Sequence, residues 1–227
     1  MQTPMSKKAE IIYGSFKGVS HQKNEDERLI IFDKNYSIIT IFDGVSTAAG
    51  SGEGIKLVKD YLKKQHKYYY RNDNFNLSKL FYDSNKALIS NNISEPFTTF
   101  CSLFIPLNEN DKIKYVSLGD SRIYSISNQY IDPLTYDDKN PLQNNVITKY
   151  LGKPSLQLDE FKQNDLNTIE NMYLLCTDGF YALMDNSKER FFEIFNFSHL
   201  ENMKKAIKRE IKNNIDDASY IIVRINV

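Results

Sequence analysis

Acidic residues recur in one kind of place along this 227-residue chain. Asp43 closes the apolar, β-branched run Tyr36–Phe42 and is followed at once by Gly44. Asp120 closes Lys112–Gly119, Asp178 closes Met172–Thr177, Asp216-Asp217 open the last apolar run, and Glu25-Asp26 end a polar loop before another. A lone Asp-Gly after such a run is ordinarily a turn and nothing more. Repeated at strand ends, carboxylates sit on rigid elements yet face a cleft, as a metal ligand or catalytic acid must. Clustered without Lys or Arg, they repel one another and remain ionised together only if cations neutralise them. Oxygen-only ligands without Cys or His favour hard cations, Mg²⁺ or Mn²⁺, over zinc. Two such ions activate a water and clamp a phosphoryl oxygen, so metal-assisted hydrolysis is the implied chemistry if these residues converge. Spacing along a chain does not establish that convergence.

The elements that must position these residues are legible in outline. Residues 9–17, Arg28–Asp33 and Tyr36–Asp43 read as strands, the last two joined at Lys34-Asn35 as a hairpin. Glu53–Gln65 and Leu77–Ile93 repeat apolar residues at helical spacing. Four β-type runs follow, at Phe97–Pro106, Lys112–Leu118, Arg122–Ser127 and Tyr130–Leu134. Tyr68–Asn76 reads as loop or helix end, Thr135–Gln143 as loop, and Val146–Leu151 as a short ordered segment. Met172–Thr177 reads as a buried strand, Phe180–Phe197 has helical spacing, Leu200–Asn214 is a basic amphipathic helix and Ala218–Val227 a closing strand. Strands, two helices, more strands, then helices and a last strand make an α+β chain with antiparallel sheets. No linker or repeat interrupts 1–227, so one domain is expected. Lys+Arg and Asp+Glu both total 29, a net charge of zero that gives no support for nucleic acid or a membrane surface as partner. No apolar run reaches the length of a membrane span, and the N-terminus is unlike a secretory signal. Cys101 and Cys176 fall in buried strands, so a reducing cytoplasm is the simplest compartment.

Taken in order, Asn24-Glu25-Asp26, Phe42-Asp43-Gly44, Thr98-Thr99, Gly119-Asp120-Ser121-Arg122, Thr177-Asp178-Gly179 and Asp216-Asp217-Ala218-Ser219 resemble the metal-dependent Ser/Thr protein phosphatases of the PPM (protein phosphatase 2C) family. Residues 145–152 also match the segment that precedes the third aspartate strand in bacterial members. The resemblance covers roughly Tyr13 to Val227. It implies a four-layer α-β-β-α sandwich of two antiparallel sheets flanked by helices, with metals at one edge. It further implies that Asp43 bridges two Mg²⁺ or Mn²⁺ ions with help from the Gly44 carbonyl. Asp178 and Asp216 would ligate the first ion and Glu25 the second. Asp26 would sit just behind them, and Asp120 would be available to a weaker third ion. A water bridging the two ions would attack the phosphorus of phosphoserine or phosphothreonine in a phosphorylated protein substrate, such as a Ser/Thr kinase or its targets.

Four departures accompany that resemblance. His21 stands where bacterial members carry a phosphate-binding Arg. A protonated His donates a charge-assisted bond but lacks the Arg fork, and a loop His without a role is the other reading. Val45-Ser46-Thr47 replaces the usual His or Met and two Gly. Ala182 replaces an Asp that assists a third metal, which weighs against a third ion. The segment from Thr135 to Asn145 is much shorter than the family's flap. A catalytically weakened module that binds a phosphoprotein or partner is the alternative reading, and a two-metal nuclease is disfavoured by the neutral charge. Arg122, Thr98 and Thr99 read as structural residues, and His66 and His199 as surface ones.

Overall fold

The computed structural model of the protein describes residues 9–71, 74–108, 111–166, 172–212 and 214–225, with only the backbone at 144 and 145. The expected reading of Met1–Lys8, turn positions 109 and 110, and the last two residues of the closing strand lie outside these described residues. One antiparallel sheet runs β1 (Ala9–Phe16), β14 (Ala218–Ile225), β13 (Met172–Cys176), β8 (Arg122–Ile126), β9 (Ile131–Pro133). The second runs β12 (Asn164–Asp165), β7 (Lys114–Leu118), β6 (Thr98–Pro106), β3 (Tyr36–Gly44), β2 (Glu27–Phe32). Two short ribbons pair β4 (Tyr70–Arg71) with β5 (Asn74–Phe75) and β10 (Lys139–Asn140) with β11 (Gln143–Ile147).

The side chains of β3 show why the sheets stack. Ile38 and Phe42 point into a cluster with Ile55, Val58, Leu80 and Phe81 from α1 (Ser51–Gln65) and α2 (Leu77–Ile89). Ile39 and Ile41 point the other way, onto Ile123, Tyr173, Leu175 and Ile221 of the first sheet. The outer face of that first sheet, through Leu174, Cys176 and Tyr220, buries Phe180, Phe191, Ile194 and Met203. Those residues come from α3 (Asp178–Asn186), α4 (Lys188–Phe195) and α5 (Leu200–Glu210). Adjacent strand residues face opposite sides, so a strand covered on both faces is apolar throughout rather than alternating. Every residue of β6 and of β13 is buried for this reason. The result is the α-β-β-α sandwich that the resemblance implies.

Several expectations need correction. The loop at Thr135–Gln143 contains β10 and leads into the β10–β11 hairpin, with Pro141-Leu142 at its turn. Tyr68–Asn76 begins as a helix end, the last residues of a 3₁₀ turn (His66–Tyr69), but goes on into the β4–β5 ribbon rather than loop. The helical stretch Phe180–Phe197 is two helices, broken at Ser187 where φ is −141° and ψ 45°. His66 is not a surface residue. It is 6% exposed, and its Nδ1 lies 2.8 Å from the Tyr36 hydroxyl, because the 3₁₀ turn after α1 rotates it inward. His199 is exposed, as expected. Among the described residues no helix is long and apolar enough to cross a membrane.

Candidate metal centre

Antiparallel pairing gathers the acidic strand ends at one edge of the sandwich. In the second sheet Asp43 pairs with Thr99 and Gly44 with Thr98, while Glu27 at the start of β2 pairs with Phe42. In the first sheet Cys176 at the end of β13 pairs with Arg122 on one side and Tyr220 on the other. Ala218 at the start of β14 pairs with Phe16 at the end of β1. Two connections cross between the sheets at this edge, residues 17–26 from β1 to β2 and the Gly119–Ser121 turn from β7 to β8, while the loops after β13 and before β14 bring Asp178 and Asp216 to it within the first sheet. The acids therefore arrive from both sheets.

A cavity of about 230 Å³ opens there, lined by His21, Asp43, Gly44, Asp120, Asp178 and Asp216 among others. All six belong to the residues singled out in the sequence. The unusual Val45-Ser46-Thr47 lines it as well, with Ile147 from the β10–β11 hairpin. Thr98 donates its hydroxyl to the Asp43 carbonyl at 2.8 Å, and Thr99 and Ser121 hydroxyls meet at 2.8 Å beneath the turn. Both threonines are thus structural supports for the acids, as expected.

Burial and mutual repulsion dominate the electrostatics. Desolvation pushes the Asp43 carboxyl well above its ordinary range, and Asp26, Asp178, Asp120 and Asp216 add to the effect. Asp178, at the start of α3, is pushed up to about 6 by burial and then by Asp120 and Asp216, although the Gly179 amide and Lys139 oppose the rise. Asp26 lies behind the cavity wall, buried, and accepts a hydrogen bond from the Thr177 hydroxyl at 3.0 Å. Desolvation, with Asp217 and Asp178, pushes it to about 7 despite its hydroxyl partners.

Glu25 is not among the residues that line the cavity. Its carboxylate accepts from the Ser51 hydroxyl at 2.8 Å and lies 3.4 Å from Lys23 Nζ, although its own backbone packs against Gly44. The residue that sequence reasoning undervalued is Asp217. Its two carboxylate oxygens accept from the Gly18 amide at 2.8 Å and the Glu25 amide at 2.9 Å, pinning the loop that carries His21 and Glu25. A side chain on Gly18 would come within 2.4 Å of Asp216 backbone, and one on Gly179 within 2.1 Å of the Asp217 carbonyl oxygen. The Asp216-Asp217 peptide is thus threaded between two positions that admit only glycine.

His21 sits against this pair, with Nε2 3.4 Å from Asp216 Oδ1 and Nδ1 3.1 Å from Asp217 Oδ2, the latter close but misaligned for a hydrogen bond. Asp217 raises the imidazole pKa more than burial lowers it, and Asp216 and Asp26 reinforce the rise. On the opposite wall, Arg122 grips Asp137 with two bonds, Nε to Oδ1 at 2.7 Å and Nη2 to Oδ2 at 2.8 Å. That bidentate pair ties the base of the β10–β11 hairpin to β8 and brings Lys139 within 3.0 Å of Asp120. Nothing in the sequence around Lys139 signals this placement.

Among the described residues no group of three or more acidic, His or Cys side chains is already arranged to cage an ion. The residues nevertheless suit a hard cation. The carboxylates at the wall offer only oxygen, burial and then their acidic neighbours hold Asp43 and Asp178 above the ordinary carboxylate range, and Asp120 Oδ1 is buried without a partner.

The description Protein phosphatase 2C belongs to a family model that matches residues 14–215. No curated protein matches the chain. Among solved structures, it is similar to the PPM Ser-Thr phosphatase MsPP from Mycobacterium smegmatis in complex with cacodylate, at 16% identity, 96% of this chain, 98% of that one and a TM-score of 0.77. It is also similar to the catalytic domain of the serine threonine protein phosphatase PstP in complex with 2 manganese ions, at 18% identity, 97% and 99% coverage and a TM-score of 0.73. RsbX in complex with magnesium gives 16% identity, 100% of both chains and a TM-score of 0.72. At such identities these likenesses concern the fold, and the family model that spans most of the sequence supplies the membership. The chain belongs to the protein phosphatase 2C family.

Proposed function

We propose that this chain is a metal-dependent protein phosphatase that hydrolyses phosphoserine and phosphothreonine, working as one domain with two Mg²⁺ or Mn²⁺ ions. The observation that carries the reading is the convergence of Asp43, Asp120, Asp178 and Asp216, from both sheets, on one cavity. The manganese and magnesium named for the PstP and RsbX structures agree with an all-oxygen site. When bound, such ions would supply an activated water and neutralise the phosphoryl oxygens.

Asp43 would hold both ions, with the Gly44 carbonyl helping at one of them, Asp178 and Asp216 would hold the first, and Glu25 the second after leaving Ser51 and Lys23. Asp26, buried behind the wall and bonded to the Thr177 hydroxyl, would sit just behind the metal ligands. His21, whose imidazole pKa is raised by Asp217 and then Asp216, would meet the substrate phosphate from the loop side, donating to it when protonated. No protein nucleophile is required. The phosphorylated partner is a protein, and a Ser/Thr kinase or one of its targets fits this family by analogy.

The placement of Glu25 favours one second reading, a weakened module that binds a phosphoprotein without turnover. Manganese-dependent hydrolysis of p-nitrophenyl phosphate and of a phosphothreonine peptide separates the two, with Asp43→Asn as control. Turnover that the variant loses supports the enzyme. Folded wild type that binds Mn²⁺ yet turns over neither substrate supports the binding module.

A further inference from the structure

The Asp120 side of the cavity carries its own cation. Lys139 Nζ lies 3.0 Å from Asp120 Oδ2, 3.4 Å from Asp137 Oδ2 and 3.1 Å from the Tyr181 hydroxyl oxygen. An ammonium has three donors, so these three partners engage all of them. Tyr181 belongs to α3, one turn beyond Asp178, and its ring also lies under the Arg122 guanidinium at 3.6 Å. Arg122 in turn fixes Asp137 with two bonds, so the hairpin that presents Lys139 is held at its base. Asp120 itself is 3% exposed, and its other oxygen, Oδ1, is buried without a partner while the residue lines the cavity.

Resting on the metal-dependent reading above, we propose that Lys139 is a built-in counter-cation for Asp120, occupying the charge position that a further divalent ion would otherwise take. A carboxylate this deeply buried needs a positive partner, and here the partner is covalently part of the chain. An ammonium 3.0 Å from Asp120 Oδ2 also repels a divalent ion drawn to the free Oδ1 of the same carboxylate, so the two cations compete for one buried charge. The centre therefore closes at two ions. Ala182, which offers no oxygen from α3, is consistent with that limit. Lys139 acts as a positioning residue: its donors are all engaged by the protein, and it sets how many ions the cavity admits.

The test is the number of Mn²⁺ ions bound per chain at millimolar Mn²⁺, by equilibrium dialysis with elemental analysis. Wild type and Lys139→Arg should each bind two, Lys139→Met should bind three, and the double variant Lys139→Met/Asp120→Asn should return to two. Circular dichroism melting of each variant confirms that a folded protein is being counted. Three ions on the wild type, or two on a folded Lys139→Met, overturn the proposal while leaving metal dependence intact. No ion on the wild type overturns the metal-dependent reading itself and the proposal with it. Should Lys139→Met fail to fold, Asp120→Asn alone decides. A count still at two supports the counter-cation, and a fall to one makes Asp120 a ligand and ends the idea.

Discussion

His21 illustrates how one side chain draws its chemistry from its neighbours. Its pKa is raised above the ordinary 6.5, chiefly by Asp217. A charge-assisted bond to phosphate is then present at low pH and lost as pH rises through that raised value. The wild-type KM for a phosphopeptide should accordingly climb as pH rises through that value, whereas His21→Arg, cationic throughout, should hold a flat KM. Parallel profiles for the two proteins would end the phosphate-binding role. Asp43, Asp120, Asp178 and Asp216 were legible from the sequence because a carboxylate after an apolar run has few places to go. Glu25 was legible as a residue but not in its direction, since Ser51, at the start of a helix 26 positions away, decides where its oxygens point. Lys139 gave no local sign, and Asp217, visible beside Asp216, gave none of its loop-pinning role, because both roles exist only through contacts with other elements. His66 misled for the opposite reason: its neighbours Lys64, Gln65 and Lys67 look like a solvated helix end, while the Tyr36 hydroxyl waits inside.

Among the elements, length separates what sequence reveals from what it hides. The long strands and both N-terminal helices carry enough residues for a period to show, and α2 begins where Asn76 accepts from the Lys79 amide, a visible N-cap. Ribbons of two-residue strands, such as β4–β5 and β10, are too short for any period and are fixed by tertiary contacts instead. The β10–β11 hairpin is the consequential case. Arg122→Lys keeps the charge but cannot reproduce the two-point grip on Asp137. Amide hydrogen exchange across Asp138–Thr148 should become faster in that variant, with the exchange of β3 and β6 unchanged. Equal protection in the hairpin would show that its strand pairing alone holds it.

For the whole molecule, the acidic edge sets a conflict between folding and ionisation. Asp26 at about 7 and Asp178 at about 6 both exceed the ordinary carboxylate value of 3.8. A folded-state pKa above the unfolded one gives stability that is present at low pH and disappears as pH rises through the folded value. Metal-free protein in EDTA should therefore melt at a lower temperature at pH 8 than at pH 5, and Mn²⁺ should restore stability most at pH 8, where the ligands are already deprotonated. Asp43→Asn, which removes one repelling charge, should raise the metal-free melting temperature at pH 8 even as it abolishes turnover. A metal-free melting temperature that rises steadily from pH 5 to pH 8 would contradict this account.

The bond from the Gly18 amide to Asp217 spans 199 positions of the chain, and among the described residues β1 pairs with β14 alone. The loop bearing His21 and Glu25 therefore gains its anchor only once β14 and the Asp217 before it are in place, so this edge of the sandwich is completed late in folding. Until then β1 is an unpaired strand, and it is the segment a chaperone would need to shield in the meantime.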